Sequence, residues 1–300
     1  MKLYRFAAVD IGSNAVRLFF ALVVSDNNRL VKIKKLSLLR IPIRLGEDTF
    51  LRKRISNKKA DGLVKAMRAF KDLCPEYGVQ AYEACATSAI RDAVNGQEII
   101  NRVKKEAGIK ITIIDGKVEA KMIFNSSKDK KLSKYNTCLY IDVGGGSTEL
   151  TLLSGKKIIA SRSFDIGTIR LLQNKVLATE WIALKEWIKK NCTRYKSIAA
   201  IGTGGNINTL FKLSDKKEGE AISFSTLEKL SARINAMSYQ ERILKLDMAP
   251  DRADVIVPAE KIFLSIMKWA RVDEIYVPKT GLADGIIYKL FEEQKRKIKV

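Results

Sequence analysis

FAAVDIGSNAVRLFF (Phe6–Phe20) and CLYIDVGGGSTELTLL (Cys138–Leu153) share one pattern. Each is an apolar run rich in β-branched residues, then an aspartate, then a turn of small residues, then a second apolar run. This order predicts a β-hairpin whose first strand ends in a carboxylate. When Asp10 is aligned with Asp142, the two Asp-apolar-Gly cores coincide. Two copies about half a chain apart predict a duplicated fold.

The rest of the chain alternates strand and helix patterns within two similar halves. This alternation predicts an α/β protein with mixed sheets flanked by helices and a ligand site in the cleft between the halves. A polar, basic stretch near residues 125–136 marks the expected boundary. We therefore expect a first domain at 1–125, with the final helix, 281–300, packing back on it. The second domain is expected at 126–280.

Helix signals are clearest where caps precede an apolar period. Thr87 and Ser88 predict the start of a helix that continues to about Glu106. The pairs Ser225/Glu228 and Ser238/Glu241 fit capping boxes, each of which predicts a helix start. A further helix is predicted over Asp254–Ala270.

Composition excludes several classes of enzyme. The chain has 300 residues, no histidine and a formal net charge of +22. Without histidine there is no Ser-His-Asp or Cys-His triad and no histidine-ligated metal site, so proton abstraction falls to a carboxylate, lysine, tyrosine or cysteine. The charge favours a polyanionic partner. The basic clusters of the chain lack interleaved aromatic residues, which argues against binding to nucleic acid. The alternative is that the charge serves only solubility and has no partner.

We expect neither a membrane span nor a secretory signal peptide in this sequence. No apolar run approaches the roughly eighteen residues of a membrane span. Asp10 interrupts the apolar stretch in which a signal peptide would need its hydrophobic core. We expect a cytoplasmic protein with no membrane partner, and the sequence leaves open whether it forms a homodimer.

The second hairpin carries the strongest chemical signal. Gly144, Gly145 and Gly146 lack Cβ atoms, so the backbone can point successive N–H groups at one anion, and Ser147 and Thr148 add hydroxyl donors. Asp142 and Glu149 flank these donors. Carboxylates beside a phosphate would repel it unless a cation lies between them, and Mg²⁺ suits such oxygen ligands. The alternative is a tight glycine turn without a ligand.

The first hairpin offers a matching loop. Ser13 and Asn14 supply donors, and Asp10 adds a carboxylate that would face the metal. Arg17, on the second strand, is interpreted as a solvated side chain. Two copies of the loop predict a phosphate held between the halves.

Three further segments are candidates for the same site. The turn Gly202–Asn206, which includes Gly204, leads from a strand into a helix, where free N–H groups favour anions. Arg91 lies one turn into a predicted helix and can clamp phosphate oxygens. Glu119 begins a helix and can hold an attacking water, as a base in an enzyme that lacks histidine. A packing turn, a surface arginine and an ordinary first-turn glutamate are the respective alternatives.

Taken in order, these motifs resemble the Ppx/GppA family of exopolyphosphatases and guanosine pentaphosphate phosphohydrolases. The resemblance covers nearly the whole chain. The matching segments are DIGSNAVRL, ATSAIRDAVNG, Gly116–Ala120, IDVGGGSTEL, FDIGTIRL, IGTGGN, ERILKLDMAPDRADVIVPA and GLADG. The last of these departs from the G-L-R-E-G that is usual in the family.

The resemblance implies a duplicated actin-like, sugar-kinase (ribonuclease H-like) fold and a role for each candidate residue. Asp10, Asp142 and Glu149 would organise Mg²⁺, and Glu119 would activate water for in-line attack on a terminal phosphoryl group. Ser13, Asn14, Arg91, Gly204 and the segment Gly144–Thr148 would grip phosphates.

The resemblance leaves the substrate open. Inorganic polyphosphate is favoured, because the chain is strongly basic. The alternatives are pppGpp as substrate, a polyphosphate- or nucleotide-binding regulator without catalysis, and a sugar kinase of the same superfold.

Overall fold

The chain forms two compact units. The computed structural model describes residues 1–126, 136–155, 157–195, 197–278 and 280–297. Unit 1 comprises Met1–Ser126 with Leu282–Val300, and unit 2 comprises Ser127–Gly281. Most of the basic stretch that the sequence indicates as a boundary, 127–135, lies outside the described residues, as do the last three residues of the predicted final helix.

Unit 1 is a sheet with helices on its faces. Its elements are β1 (Lys2–Ile11), β2 (Val16–Asp26), β3 (Arg29–Ile41), α1 (Leu45–Arg52), α2 (Asn57–Glu76), β4 (Ala81–Ala86), α3 (Ser88–Arg91), α4 (Gly96–Ala107), β5 (Ile111–Ile113), α5 (Gly116–Ser126) and, from the end of the chain, α13 (Leu282–Lys297). The strand order is β3-β2-β1-β4-β5. β1 pairs antiparallel with β2 and parallel with β4, so the sheet is mixed.

Apolar side chains cover both faces of β1 and β2, which explains why these strands read as continuous apolar runs. On one face, Phe6 and Phe19 join Ile286 and Phe291 of α13 in one buried cluster. On the other face, Phe20 stacks on Tyr77 at the end of α2, with ring centroids 3.9 Å apart. The final helix is thus part of the core of unit 1.

Unit 2 repeats this plan. Its elements are β6 (Thr137–Val143), β7 (Thr148–Ser154), β8 (Lys157–Phe164), α6 (Thr168–Leu172), α7 (Ala178–Cys192), β9 (Ala199–Thr203), α8 (Gly205–Leu213), β10 (Ala221–Ser223), α9 (Phe224–Asn235), α10 (Tyr239–Leu246), α11 (Pro250–Ala253), α12 (Ile256–Ala270) and β11 (Glu274–Tyr276). The strand order is β10-β11-β9-β6-β7-β8. Its core includes Ile262, Phe263 and Ile266, which are fully buried on α12.

The two sheets share their central topology. In each, an antiparallel hairpin leads the unit, a third strand pairs antiparallel with the hairpin's second strand, and a later strand pairs parallel with its first. Asp10 lies opposite Arg17 in one hairpin, and Asp142 lies opposite Glu149 at the corresponding position of the other. The predicted α/β fold with two similar mixed sheets is confirmed.

Several local predictions need correction. The helix predicted from Thr87 to Glu106 is broken between α3 and α4. At the break, the side chain of Asn95 accepts a hydrogen bond from the N–H of Ile55 and donates one to the carbonyl of Ile55. The Ser238/Glu241 capping box is confirmed. The box at Ser225/Glu228 is wrong, because α9 begins earlier and Ser223 caps it by accepting from the N–H of Thr226.

Other differences concern short elements. The helix predicted over Asp254–Ala270 is confirmed as α12, which begins at Ile256, and the short helix α11 precedes the predicted range. The sequence patterns also do not reveal α1 and α6, which prove important for the site. Within the described part of the chain, every helix is too short or too polar to cross a bilayer.

Candidate functional site

The hairpin loop Gly144–Ser147 joins β6 to β7 in unit 2. It is closed by a hydrogen bond from the N–H of Gly144 to the carbonyl of Ser147, with N and O 2.9 Å apart. The loop of the first hairpin is closed in the same way, by the N–H of Gly12 and the carbonyl of Ala15 at 3.1 Å. The two loops therefore share one backbone conformation at this bond as well as one sequence pattern.

The carbonyl groups of the Gly144–Ser147 loop point at α6. Three successive carbonyls accept hydrogen bonds from the first residues of this helix. The pairs are Thr168 N to Gly144 O at 3.0 Å, Ile169 N to Gly145 O at 2.8 Å and Arg170 Nε to Gly146 O at 2.6 Å. Gly167 makes this close approach possible, because a Cβ there would lie 2.4 Å from the carbonyl oxygen of Gly145.

The amide groups of the same loop have no such partners. Within the described residues, the N–H groups of Gly145, Gly146 and Ser147 find no hydrogen-bond acceptor. Successive backbone N–H groups left in this way form an anion-binding concavity. The arrangement thus fits the phosphate loop that the sequence predicts, and binding of phosphate there stays a prediction.

One side chain of the predicted loop needs correction. Thr148 is fully buried, and its hydroxyl donates to the carbonyl of Ile166 at 2.6 Å. The hydroxyl proton of Thr148 is therefore used in a hydrogen bond to the loop before α6 and cannot be donated to a ligand at the same time. The expectation that Thr148 supplies a hydroxyl donor is therefore not met in this structure, whereas Ser147 has no such competing bond among the described residues.

A polar row crosses the sheet of unit 2 beside this loop. Thr203, Asp142, Glu149 and Ser163 are register partners on four adjacent strands, so their side chains project from the same face. Glu149 is 4% exposed and accepts a hydrogen bond from the Ser163 hydroxyl at 2.8 Å. The Thr203 hydroxyl is buried and finds no partner in the described residues.

Asp142 and Glu149 lie directly across from one another on antiparallel strands. Like charges in this position destabilise a sheet, and a cation between them removes the repulsion. Two carboxylates suit Mg²⁺, which keeps several waters and takes phosphate oxygens as further ligands. Among the described residues, no group of three or more Asp, Glu or Cys side chains that could hold a metal comes together. Asp142 and Glu149 supply carboxylate oxygens of the kind that Mg²⁺ takes, and their role as metal ligands stays a prediction.

Gly204 brings the turn after β9 against this row. Its φ of +88° lies in the left-handed region that glycine adopts without strain. A Cβ at this position would lie 2.5 Å from Oδ1 of Asp142, so the carboxylate rests on the glycine backbone. Asn206 fixes the same turn by donating from its side chain to the carbonyl of Val143 at 2.7 Å.

Arg252 is a site residue that sequence patterns did not single out. Its guanidinium contacts the side-chain oxygen of Asn206 at 3.4 Å, and a Cβ on Gly205 would lie 2.4 Å from one of its nitrogens. The cation therefore lies at the start of α8, where the helix dipole is already positive. That placement favours an anion nearby. Arg252 lies within the segment Glu241–Ala259 that resembles the family, but the sequence alone does not show that its side chain contacts the turn after β9.

In unit 1, the loop with Ser13 and Asn14 is held in a similar way. The carbonyl of Ser13 accepts from the N–H of Gly46 at 2.9 Å, and that of Asn14 accepts from the N–H of Arg44 at 3.0 Å. Both side chains are buried. The Ser13 hydroxyl also lies 2.9 Å from the hydroxyl of Ser88 at the start of α3, which fixes its position.

Asp10 has a partner that the sequence did not reveal. Nη1 of Arg17 lies 2.6 Å from Oδ2 of Asp10, and the carboxylate is buried. The expectation that Arg17 is only solvated is therefore wrong. Because the guanidinium already neutralises this carboxylate, a metal ion would have to compete with Arg17 for it. A ligand role for Asp10 stays a prediction.

Arg91 and Glu119 are connected through the segment that precedes α5. Arg91 donates from Nη1 to the carbonyl of Ile114 at 3.1 Å. Asp115 follows and caps α5 by accepting from the N–H of Val118 at 2.8 Å. Glu119 lies in the first turn of α5, half-buried. The structure thus ties the predicted clamp to the start of the helix that carries the predicted base.

A cysteine nucleophile is not supported at this point of unit 1. Cys85 is the register partner of Asp10 on β4 and is fully buried. Burial, together with the nearby Glu83 carboxylate, raises the pKa of its thiol to about 12. Such a thiol stays protonated near neutral pH and is a poor nucleophile.

Sequence comparisons add a family and several relatives. A model of the Ppx/GppA phosphatase family matches residues 22–294. A bifunctional 3-dehydroquinate synthase/phosphatase of Fusobacterium nucleatum is 28% identical over 96% of this chain, and the chain spans 47% of that protein's length. Exopolyphosphatase 1 of Mycobacterium tuberculosis is 23% identical, with 97% of this chain and 89% of the relative covered.

The chain is also similar to a third relative and to two solved structures. Guanosine-5'-triphosphate,3'-diphosphate pyrophosphatase of Photobacterium profundum is 23% identical over 97% of this chain and 60% of its own length. The Aquifex aeolicus Ppx/GppA family member superposes with a TM-score of 0.76 at 25% identity, covering 98% of this chain and 99% of that one. An exopolyphosphatase from Cytophaga hutchinsonii gives a TM-score of 0.82 at 23% identity, with 96% and 98% covered, which shows a common fold.

Proposed function

The chain belongs to the Ppx/GppA phosphatase family, and from this premise we propose that it is an exopolyphosphatase. The proposed reaction removes the terminal phosphate of inorganic polyphosphate by attack of water, with orthophosphate as the product. The single observation that carries the proposal is the loop Gly144–Ser147. Its carbonyls are bound by α6, and three of its N–H groups have no acceptor among the described residues.

The chain's own residues would divide the work of phosphoryl transfer, which is mostly positioning and neutralisation of charge. The N–H groups of Gly145, Gly146 and Ser147 would bind phosphate oxygens. Asp142 and Glu149 would hold Mg²⁺, which when bound supplies positive charge to the phosphoryl oxygens. Glu119 would accept a proton from the attacking water.

The choice of polyphosphate rests on charge and on relatives. A net charge of +22 favours a long polyanion over a single nucleotide. The alignment of this chain with relatives named exopolyphosphatase spans 89% and 99% of the length of those relatives. The second candidate is hydrolysis of pppGpp, which a relative named for a guanosine polyphosphate favours. A binding protein without catalysis is a third, supported by the GLADG segment at Gly281–Gly285.

The test of catalysis compares Glu119→Gln with a matched control. Glu98→Gln removes the same charge from unit 1 at a side chain that is 75% exposed on α4. Phosphate release from long-chain polyphosphate is measured with Mg²⁺ and with excess chelator. We expect the control to match the parent protein, the Glu119 variant to lose at least about a hundredfold in kcat, and chelator to abolish release. Full turnover by Glu119→Gln would refute the assigned base.

The substrate is tested separately, by kcat/KM for long polyphosphate, short polyphosphate and pppGpp under one set of conditions. The proposal expects the highest value for long polyphosphate. A higher value for pppGpp would reassign the substrate and leave the chemistry in place. Salt-sensitive polyphosphate binding without release of phosphate from any of the three would favour the binding protein.

A further inference from the structure

We propose that Arg170 is a positioning residue that sets the strength with which the Gly144–Ser147 loop binds an anion. It would act from behind the loop, through the peptide group that joins Gly146 to Ser147. The inference rests on the proposed function, since it concerns the loop to which a phosphate is assigned. It adds a residue that neither the phosphate donors nor the proposed metal ligands include.

The guanidinium of Arg170 is buried behind the loop. The side chain is 6% exposed, and its Nε donates to the carbonyl of Gly146 at 2.6 Å. One terminal nitrogen contacts Oδ1 of Asp165 at 3.2 Å, and that carboxylate is 60% exposed. A buried cation thus directly contacts the backbone of the loop, while one acidic partner, Asp165, lies mostly in solvent.

The contact matters because of peptide geometry. The carbonyl of Gly146 and the N–H of Ser147 belong to one planar peptide group and point in opposite directions. Fixing the carbonyl towards Arg170 therefore fixes the N–H of Ser147 on the other side. Hydrogen bonds to a charged donor are stronger than neutral ones, and a bond at one end of a peptide polarises the other end. Arg170 should make this N–H a better donor to a phosphate oxygen.

The first hairpin shows what the loop needs for its shape alone. Asn14 occupies the position of Gly146 there, and its carbonyl accepts from the backbone N–H of Arg44 at 3.0 Å. A neutral donor therefore suffices to close the same loop. The guanidinium at the corresponding position of unit 2 adds a charge that the loop conformation does not require. That difference points to a role in ligand binding.

The loop should survive the loss of this contact. The carbonyls of Gly144 and Gly145 are held by backbone N–H groups of α6, which no change of side chain removes. Variants at Arg170 can therefore test its charge without removing the loop.

The experiment measures the dissociation constant for inorganic phosphate by titration calorimetry, using the full chain without turnover. Arg170→Gln removes the charge and should weaken binding about tenfold, while Arg170→Lys retains it and should stay within about threefold of the parent. Arg162→Gln is the control for net charge. Arg162 is exposed on β8, over the ring of Phe164 at 4.8 Å, and its loss should change affinity less than about twofold.

Asp165→Asn separates charge from packing. It removes one negative partner of Arg170 at an exposed position, so it should tighten phosphate binding about twofold. If it weakens binding as Arg170→Gln does, or if Arg170→Gln and Arg162→Gln bind equally well, the inference is wrong. Should Arg170→Gln fail to fold by circular dichroism, Arg170→Lys and Asp165→Asn decide it. If the parent protein binds no phosphate, the loop assignment itself fails and the inference falls with it.

Discussion

Replacing Glu260 by glutamine should stabilise unit 2 in a manner that depends on pH. Glu260 is fully buried on α12, and its Oε2 accepts from Nδ2 of Asn235 at 3.0 Å. Its Oε1 finds no hydrogen-bond partner in the described part of the chain. Burial raises the pKa of this carboxyl from an ordinary value of 4.5 to about 7.

The folded state holds the proton of Glu260 more tightly than the unfolded chain does, so the free energy of unfolding depends on pH. The folded state retains the proton of Glu260 up to about pH 7, whereas the unfolded chain releases it above 4.5. Stability from this group is therefore present below pH 4.5 and is lost as the pH rises through 7. A shift of this size corresponds to about 3 kcal/mol at most. Glutamine stays neutral, so the gain in stability from Glu260→Gln should grow by about 2 to 3 kcal/mol between pH 5 and pH 8.

The assay is urea unfolding at several pH values between 5 and 8. All three tryptophans, Trp181, Trp187 and Trp269, lie in unit 2, so their fluorescence reports on the unit that contains Glu260. Glu228→Gln, on the exposed face of α9, is the matched control and should run parallel to the parent protein at every pH. The reasoning is refuted if the free energy of unfolding of Glu260→Gln also runs parallel to that of the parent.

Three further substitutions test the local geometry. Gly167→Ala places a Cβ 2.4 Å from the carbonyl oxygen of Gly145, so α6 must shift and KM for polyphosphate should rise about tenfold or more; an unchanged KM would contradict the packing. Gly204→Ala meets both a φ of +88° and Oδ1 of Asp142 at 2.5 Å, so its phosphate release should need more Mg²⁺, and an unaltered Mg²⁺ dependence would separate this turn from the metal. Gly62→Ala, inside α2, adds a methyl group for which Ile43, at 3.9 Å, is the one neighbour within 4 Å among the described residues. It should raise the free energy of unfolding of unit 1 by about 1 kcal/mol, measured by circular dichroism in urea, and a loss of stability would show that the methyl group does not fit.

The sequence predicted the parts of the fold that have a repeat or a period. The two hairpins, their aligned aspartates and the alternation of strands and helices are all visible as patterns. The membership of the Ppx/GppA family, expected from the ordered motifs, is confirmed. These features depend on local residue order, which is why one chain suffices to find them.

The supports behind the loops could not be predicted in the same way. α1 and α6 are short helices whose first residues bind the carbonyls of the hairpin loops, and a short segment has too few turns to show a helical period. The break at Asn95 depends on Ile55, forty positions earlier in the chain. The capping box expected at Ser225 failed because Ser223, two residues earlier, is the residue that caps α9.

The sequence also did not reveal the contacts that charged side chains make. Arg17 could be assigned to Asp10 only once the register of β1 and β2 was known. Arg252 lies far along the chain from the turn that it contacts, and its role depends on a distance that sequence does not contain. The predicted roles of Glu119, Arg91 and the metal-binding carboxylates stay predictions, which the variants above address.

The central claim is that the backbone N–H groups of the second hairpin loop bind phosphate. It is tested most directly by following the amide resonances of Gly145, Gly146 and Ser147 in a ¹H–¹⁵N spectrum during titration with inorganic phosphate. The account predicts saturable downfield proton shifts at all three positions, with the resonance of Gly62 in α2 unmoved. Phosphate that binds by calorimetry while these three resonances stay in place would contradict it.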